Sequence, residues 1–226
     1  MHALALLLHV GALGAAQVGV RFGFAPVLSV TVWLVIAVHA VESRFVPLPA
    51  VRRALAGAGG LSVLLALLYP GEVPVHTGSP WLPLHWMLGV VSYGLFGVAL
   101  LHAWLLGSAE RRLRLKALRD GAGPLGLPLL RLERLTFRFV EAGFVVLSAA
   151  LLFGMAFASP WRWDHKTVLS LLGWATFAAL VVGRHWRGWR GKHAVRWLYV
   201  GALLLLLAYV GSRFVFEVLL RRGAVA

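Results

Sequence analysis

Histidine is the residue type through which this chain could do metal chemistry. The chain has nine histidines, no cysteine and only eight acidic residues, so thiolate metal sites, disulfides and redox dithiols are excluded for it. Imidazole pairs without thiolate neighbours suit haem iron, and a flat apolar macrocycle fits a helix bundle rich in Trp, Phe and Leu. A single histidine on a helix is nonetheless more often a hydrogen-bonded packing residue than a ligand. The histidines lie at positions 2, 9, 39, 76, 85, 102, 165, 185 and 193.

Long apolar segments must position these histidines. Hydrophobic residues make up 60% of the chain and charged residues 13%, which is unlike soluble domains and indicates that lipid is the solvent. A bilayer core needs roughly 20 apolar residues per helix, and lipid offers no partner to unpaired backbone amides. We therefore predict an all-α fold, a polytopic transmembrane helix bundle of about seven spans that forms one membrane domain over residues 1–226. The predicted spans are 2–20, read as a retained span rather than a cleaved signal peptide, 25–42, 54–69, 86–107, 139–159, 167–183 and 197–220.

The distribution of basic residues predicts the orientation of the bundle. The net charge is +14, and most of the 22 Lys and Arg lie at 43–53, 106–137 and 184–196, in every second connection. Basic connections stay cytoplasmic, so we predict a bacterial inner-membrane protein with a cytoplasmic N-terminus and an external C-terminus. A basic cytoplasmic loop is expected at about 108–137, with Leu129 to Leu135 lying as an amphipathic helix on the anionic inner leaflet. The bilayer, and not nucleic acid, is then the partner of the positive charge.

Alternating topology places the candidate histidines at two different depths. His85 begins the fourth predicted span on the external side, and His165 lies in the external turn that precedes the sixth. His9 and His185 lie in the inner halves of their spans. We therefore predict two imidazole sites, an external one with His85 and His165 and an inner one with His9 and His185. The alternative for His165 is a cap-like role at a helix start beside Asp164, an acid favoured by the helix dipole.

The external connections are rich in aromatic side chains. The turn at 160–166 reads Pro-Trp-Arg-Trp-Asp-His-Lys, which places Trp161, Trp163 and Asp164 directly before His165. Such a turn could wall an apolar ligand. The plain alternative is an interfacial belt, which Trp favours in any membrane protein.

At these residues the sequence resembles the cytochrome c assembly protein family, the haem-handling membrane proteins that include CcsA, and most closely its HemX-like and YpjD-like branch. The resemblance covers about residues 25–220 and rests on four segments. They are Leu84-His85-Trp86-Met87 with Ser92-Tyr93; Leu130-Arg131-Leu132-Glu133-Arg134 with Phe137; Trp161-Arg162-Trp163-Asp164-His165-Lys166-Thr167 with Leu169, Ser170 and Trp174; and His185 with Gly188-Trp189-Arg190-Gly191, Tyr209, Gly211, Ser212 and Arg213.

The resemblance implies roles for individual residues. His85 is similar to the family's external haem ligand and His185 to its membrane-embedded one, with His9 as the partner of His185. The residues that match the loop presenting haem are Trp161, Trp163 and Asp164. The implied function is binding or handling haem during cytochrome c biogenesis, by liganding and positioning rather than by turnover, together with other cytochrome c biogenesis membrane proteins.

Two other functions fit the same sequence. A non-haem membrane scaffold or regulatory protein would keep the family fold and work through a partner protein docked on the basic cytoplasmic loop. A transporter of another small molecule would use the same bundle, although proton and ion pathways ordinarily need more buried acids than Glu141 and Glu217 supply. Haem absorbance of the purified protein separates the first alternative from haem handling.

Overall fold

The chain folds as a bundle of long helices. A computed structural model describes residues 23–43, 49–72, 82–114, 129–157 and 163–219, and every regular element in these ranges is helical. The elements are α1 (Phe24–Glu42), α2 (Pro49–Leu68), α3 (Leu82–Arg114), α4 (Leu129–Phe157), α5 (His165–Arg187) and α6 (Gly191–Leu206). Two π-helical turns, Leu207–Gly211 and Val215–Leu219, continue α6 on either side of Ser212–Phe214.

Six of the described helices are long and apolar enough to cross a membrane. The prediction of an all-α, polytopic membrane bundle is therefore confirmed. The first predicted span, 2–20, lies outside the described residues, and the predicted orientation of the termini stays a prediction.

Two helices, α3 and α4, extend into the connection that the sequence predicts to be a basic loop. α3 runs on to Arg114, and α4 begins at Leu129, so both reach into the predicted basic loop, whose residues 115–128 lie outside the described residues. The predicted surface helix from Leu129 to Leu135 is wrong, because these residues are the first turns of α4. Leu132 is buried in a small core against the end of α3, so its burial between helices replaces the expected contact with the leaflet.

The helices alternate in direction, which gives the bundle two distinct ends. At one end, the ring of Phe24 lies 5.3 Å from the rings of both Tyr69 and Phe214, measured between centroids. At the other end, His102 Nε2 on α3 lies 3.0 Å from Glu42 Oε2 on α1. The first end contains the cleft described in the next subsection, and we call it the cleft end; α1, α3 and α5 begin there. We call the second the basic end; α2, α4 and α6 begin there. The cytoplasmic location of the basic end stays a prediction.

Two stacked phenylalanine rings between two glycines form the centre of the core. Phe96 of α3 and Phe177 of α5 have ring centroids 3.9 Å apart and planes 12° apart. A Cβ at Gly143 of α4 would lie 2.9 Å from the Phe96 ring, and one at Gly201 of α6 would lie 2.8 Å from the Phe177 ring. Small residues let helices approach closely in lipid, where hydrophobicity alone does not drive helix association. These four residues therefore join α3, α4, α5 and α6 into one packed unit.

A polar clamp joins three of these helices, α4, α5 and α6, at the basic end. Gly188 ends α5 at φ 66° and Gly191 begins α6 at φ 58°, a left-handed conformation that glycine adopts without strain. Inside this turn Arg184 donates to Glu133 Oε1 of α4 and to the Trp189 carbonyl, each at 3.3 Å. The Glu133 and Gly-Trp-Arg-Gly segments that carry the family resemblance thus have a structural role here.

Candidate functional site

A cleft of about 480 Å³ opens at the cleft end between α1, α3, α4, α5 and the first π-helical turn. His85, Gly89 and Tyr93 of α3 line it; because they are spaced four residues apart, they lie along one helix face over about 12 Å. Ala208 and Tyr209 line it from the π-helical turn, a conformation frequently found at functional sites. Its volume is in the range of small-ligand sites.

A hydrogen bond sets the protonation pattern of the His85 ring. Nδ1 lies 2.8 Å from the carbonyl oxygen of Ala150 on α4. A carbonyl can only accept, so Nδ1 carries a hydrogen, and in the neutral ring Nε2 then carries the free lone pair. No residue of the described ranges hydrogen-bonds Nε2. Metal-binding histidines show this arrangement, in which one ring nitrogen donates to a carbonyl and the other binds the metal.

Gly154 of α4 leaves the space that the His85 imidazole of α3 occupies. A Cβ at Gly154 would lie 2.9 Å from His85 Cε1, closer than real Cβ atoms approach, and 3.3 Å from Nδ1, which is tighter than most real contacts. The ring therefore occupies a notch that only glycine leaves open. With Nδ1 bonded one turn earlier, to Ala150, the notch restricts the orientation in which Nε2 can meet a ligand.

Asp164 at the mouth of the cleft caps α5. One of its carboxylate oxygens accepts hydrogen bonds from the backbone N–H and the hydroxyl of Thr167, both at 2.9 Å. Partial burial acts to raise the pKa of this carboxyl, but the two Thr167 hydrogen bonds and the nearby Lys166 and His165 hold it below its usual value. The ionised carboxylate of Asp164 therefore serves as the N-cap of α5.

Lys166 supplies a cation to the cleft. Lys166 and Thr167 both line the wall of the cleft that α5 forms. No carboxylate of the described residues lies within ion-pair distance of Lys166. A ligand that is apolar in its body and anionic at one edge would therefore find complementary chemistry here, with apolar walls below and an ammonium group near the mouth.

We expect replacement of Asp164 by alanine to lower the free energy of unfolding by about 1 kcal/mol at neutral pH, because the α5 cap is lost. Since the folded-state pKa is depressed, the contribution is fully present above the unfolded pKa of about 3.9 and is lost as the pH falls through the folded-state pKa. Asp164→Asn is the matched control, because asparagine keeps a capping oxygen but cannot titrate. Thermal unfolding followed by circular dichroism at about pH 7 and pH 3 measures both effects. An alanine variant as stable as the parent at pH 7 would contradict the assignment.

The other outer candidates that the structure describes, His165 and Trp163, lie at or beyond the rim of the cleft. His165 is the first residue of α5, and its ring faces Phe216 at a centroid distance of 5.8 Å. It does not line the cleft. Trp163 is 72% exposed, and Trp161 lies outside the described residues. The structure therefore brings Asp164 to the cleft of His85 and places His165 as the first residue of α5, and the role of each residue towards a ligand stays a prediction.

The inner candidate His185 lies at the basic end of α5. Its Nδ1 is 3.0 Å from the Val181 carbonyl oxygen, and its Nε2 is 3.7 Å from Glu141 Oε1 of α4. The side chain is 58% exposed on the outside of the described bundle. His9 lies outside the described residues, so the pairing of His9 with His185 stays a prediction. In the part of the chain that the structure describes, no cluster of three His, Cys, Asp or Glu residues is suited to a metal ion.

Comparison with known proteins tests the family resemblance. The family model described as Cytochrome C assembly protein matches residues 1–220. The chain belongs to the cytochrome C assembly protein family. The resemblance read from the four segments is confirmed.

Two kinds of relatives stand out within the cytochrome C assembly protein family. The chain is 31% identical over 159 residues to "Inner membrane protein YpjD" of Escherichia coli, covering 69% of this chain and 60% of the relative. It is 25% identical over 216 residues to "Cytochrome c biogenesis protein CcsA" of Prochlorococcus marinus, covering 80% of this chain and 68% of the relative. The chain thus spans about 60% of the length of the first curated relatives it matches. No solved structure matches.

For this member of the cytochrome C assembly protein family, sequence analysis missed several cleft residues. Tyr93 had a usable signal, because it lies two turns from His85 on one helix face, and Lys166 stands within the aromatic turn already singled out. Gly154 and Ala150 had none, since only the packing of α4 on α3 brings them to the imidazole.

The cleft fits the cofactor that the family implies. The imidazole of His85 has one free nitrogen, the Gly154 notch holds the ring, and the walls are mainly apolar. These features match the demands of haem, which needs an axial nitrogen ligand, an apolar enclosure and a cation for its carboxylates. Zinc would need further His, Cys or carboxylate ligands at the same place.

Proposed function

We propose that this protein binds haem in the cleft through His85 and handles it during cytochrome c biogenesis in the bacterial inner membrane. The observation that carries the proposal is the hydrogen bond from His85 Nδ1 to the Ala150 carbonyl, which leaves Nε2 as a ligand in an apolar cleft. Membership of the cytochrome C assembly protein family supports it. Bound haem would supply an iron that accepts the lone pair of an imidazole nitrogen.

In this proposal each residue of the cleft has a separate role in binding haem. His85 presents the lone pair of Nε2, and the Ala150 carbonyl with the Gly154 notch keeps the ring from turning. Lys166 pairs with the carboxylates of the ligand near the mouth. The apolar walls exclude water, which strengthens both contacts because the local dielectric is low.

The remaining candidates take supporting positions in this proposal. Trp163 and His165 stand at the rim, where Trp163 would cover the exposed edge of the ligand. Trp161, which lies outside the described residues, would serve the same purpose in this proposal. His185, whose Nε2 lies 3.7 Å from Glu141 Oε1 at the basic end, would form a second haem position together with His9. Haem could then pass between two separate positions.

We further propose that the protein acts by liganding and positioning rather than by turnover, and that it works with other membrane proteins of cytochrome c biogenesis. The proposal rests on the cleft, in which His85 would offer an imidazole nitrogen and Lys166 a cation. Transfer of haem to an apocytochrome would then fall to the partners.

A haem spectrum tests the proposed function. The full chain is purified in mild detergent from cells that make haem, and is also titrated with haem after purification. We expect a Soret band with a stoichiometry of at least one haem per chain. A protein that carries no haem and shows no saturable Soret shift on titration would contradict the proposal and favour the scaffold alternative.

A further inference from the structure

A second opening, distinct from the cleft, lies at the basic end of the bundle. It is a groove of about 290 Å³ between α3 and α6. Gly107 on α3 and Gly191 on α6 line it, and open space surrounds the position that a Cβ would take at each glycine. The two helices are thus separated at this level, although they share the core below.

The groove has one cation on each wall. Arg111 lines it from α3 and Lys192 from α6. Neither is within ion-pair distance of a carboxylate in the described residues, although Glu110 also lines the groove. Arg111 donates from Nε to the Gly107 carbonyl at 3.3 Å, which leaves its terminal nitrogens available. The groove therefore carries a net positive charge.

The depth of these cations matches the surface of a membrane. Arg111 is the last residue of the membrane-capable stretch Pro83–Arg111, and Lys192 is the second residue of the stretch Gly191–Leu219. Both side chains therefore lie where an apolar helix leaves the bilayer, at the level of the lipid phosphates.

Each wall repeats the same pattern towards the membrane interior. Trp104 precedes Arg111 by seven residues and Tyr199 follows Lys192 by seven, so each aromatic lies on the face of its cation and about 10 Å deeper. Both line the groove, and both are large side chains that remain exposed, Trp104 to 51% and Tyr199 to 45%. An apolar chain that enters below the cations would lie between the two rings.

We propose that this groove is a specific binding site for an anionic phospholipid. Arg111 and Lys192 bind the headgroup phosphate from opposite sides, and Trp104 and Tyr199 contact the acyl chain. Basic pockets between transmembrane helices bind anionic headgroups in this way. A volume of about 290 Å³ accommodates a headgroup but not a helix of a partner protein.

Native mass spectrometry of the full chain in mild detergent tests the site. Dioleoylphosphatidylglycerol and dioleoylphosphatidylcholine are titrated separately, and bound lipids are counted. We expect one phosphatidylglycerol to bind at least tenfold more tightly than phosphatidylcholine. The variant Arg111→Gln/Lys192→Gln should weaken that one lipid roughly tenfold, because each cation near the surface contributes to anionic-lipid binding. The variant Trp104→Ala should weaken both lipids.

Arg52→Gln/Arg53→Gln is the matched control, since both residues are exposed on α2 at the same end and the charge change is identical. We expect this variant to bind phosphatidylglycerol as the parent does. Equal weakening by the two double variants would overturn the site and indicate a general charge effect. Equal parental affinity for the two lipids would also overturn it. Displacement of the lipid by millimolar inorganic phosphate would show a free-anion site instead.

Discussion

The variant His85→Gly should lose more than about 99% of its haem affinity, a fall of at least a hundredfold. Removing a residue that only orients a metal ligand costs about 10- to 100-fold, so removing the ligand should cost at least the upper value. The measurement is a haem titration of purified protein, followed by the Soret band. Added imidazole should restore the spectrum of the variant, because the glycine leaves space for a free ring in the notch beside Gly154.

His165→Ala is the comparison for this experiment. It removes an imidazole at the same end of the bundle, but the ring of His165 faces Phe216 and does not line the cleft. We expect the His165 variant to keep haem affinity within about threefold of the parent, because the substitution at the rim removes no ligand of the iron. If the His85 variant bound haem like the parent, or if His165→Ala alone abolished binding, His85 would not be the ligand. Rescue by imidazole excludes misfolding as the cause of the loss.

The variant Gly154→Val should weaken haem binding by about 10- to 100-fold while His85 itself is intact. The added side chain must occupy the space of His85 Cε1, which would be 2.9 Å from its Cβ. The ring then turns, and the hydrogen bond from Nδ1 to the Ala150 carbonyl lengthens or breaks. Groups that orient a metal ligand have effects of this size when they are removed. We expect the Soret band to move in wavelength in addition to the loss of haem affinity.

Gly60→Val provides the matched control for Gly154→Val. Gly60 lies in the middle of α2, and nothing lies within 4 Å of the position of its Cβ. The same residue change is thus made within a helix without a collision, so haem binding should be unaffected. Parental affinity in the Gly154 variant would show that the notch does not position His85. Equal weakening in both variants would point to a general loss of stability.

The sequence by itself determined the class of fold and the ends of the bundle at which His85, His165 and His185 lie. Hydropathy along the chain predicted six helices that the structure describes, because lipid forces each apolar stretch into a helix whatever its neighbours are. Antiparallel succession then placed His85 and His185 at opposite ends. The α5 cap at Asp164 was also a local matter, since its partner Thr167 is three residues away.

Tertiary structure alone decided which atoms meet. His85 bonds the carbonyl of Ala150, 65 residues later in the chain, and Glu42 bonds His102, 60 residues later. In lipid the outward and inward faces of a helix are both apolar, so hydrophobic periodicity does not indicate which face packs. The same reason explains the error at Leu129–Leu135, where an alternation of leucine and charge fits a helix on the leaflet as well as the start of a span. The burial of Leu132 against α3 distinguishes the start of a span from a helix on the leaflet. That contact depends on which helices become neighbours.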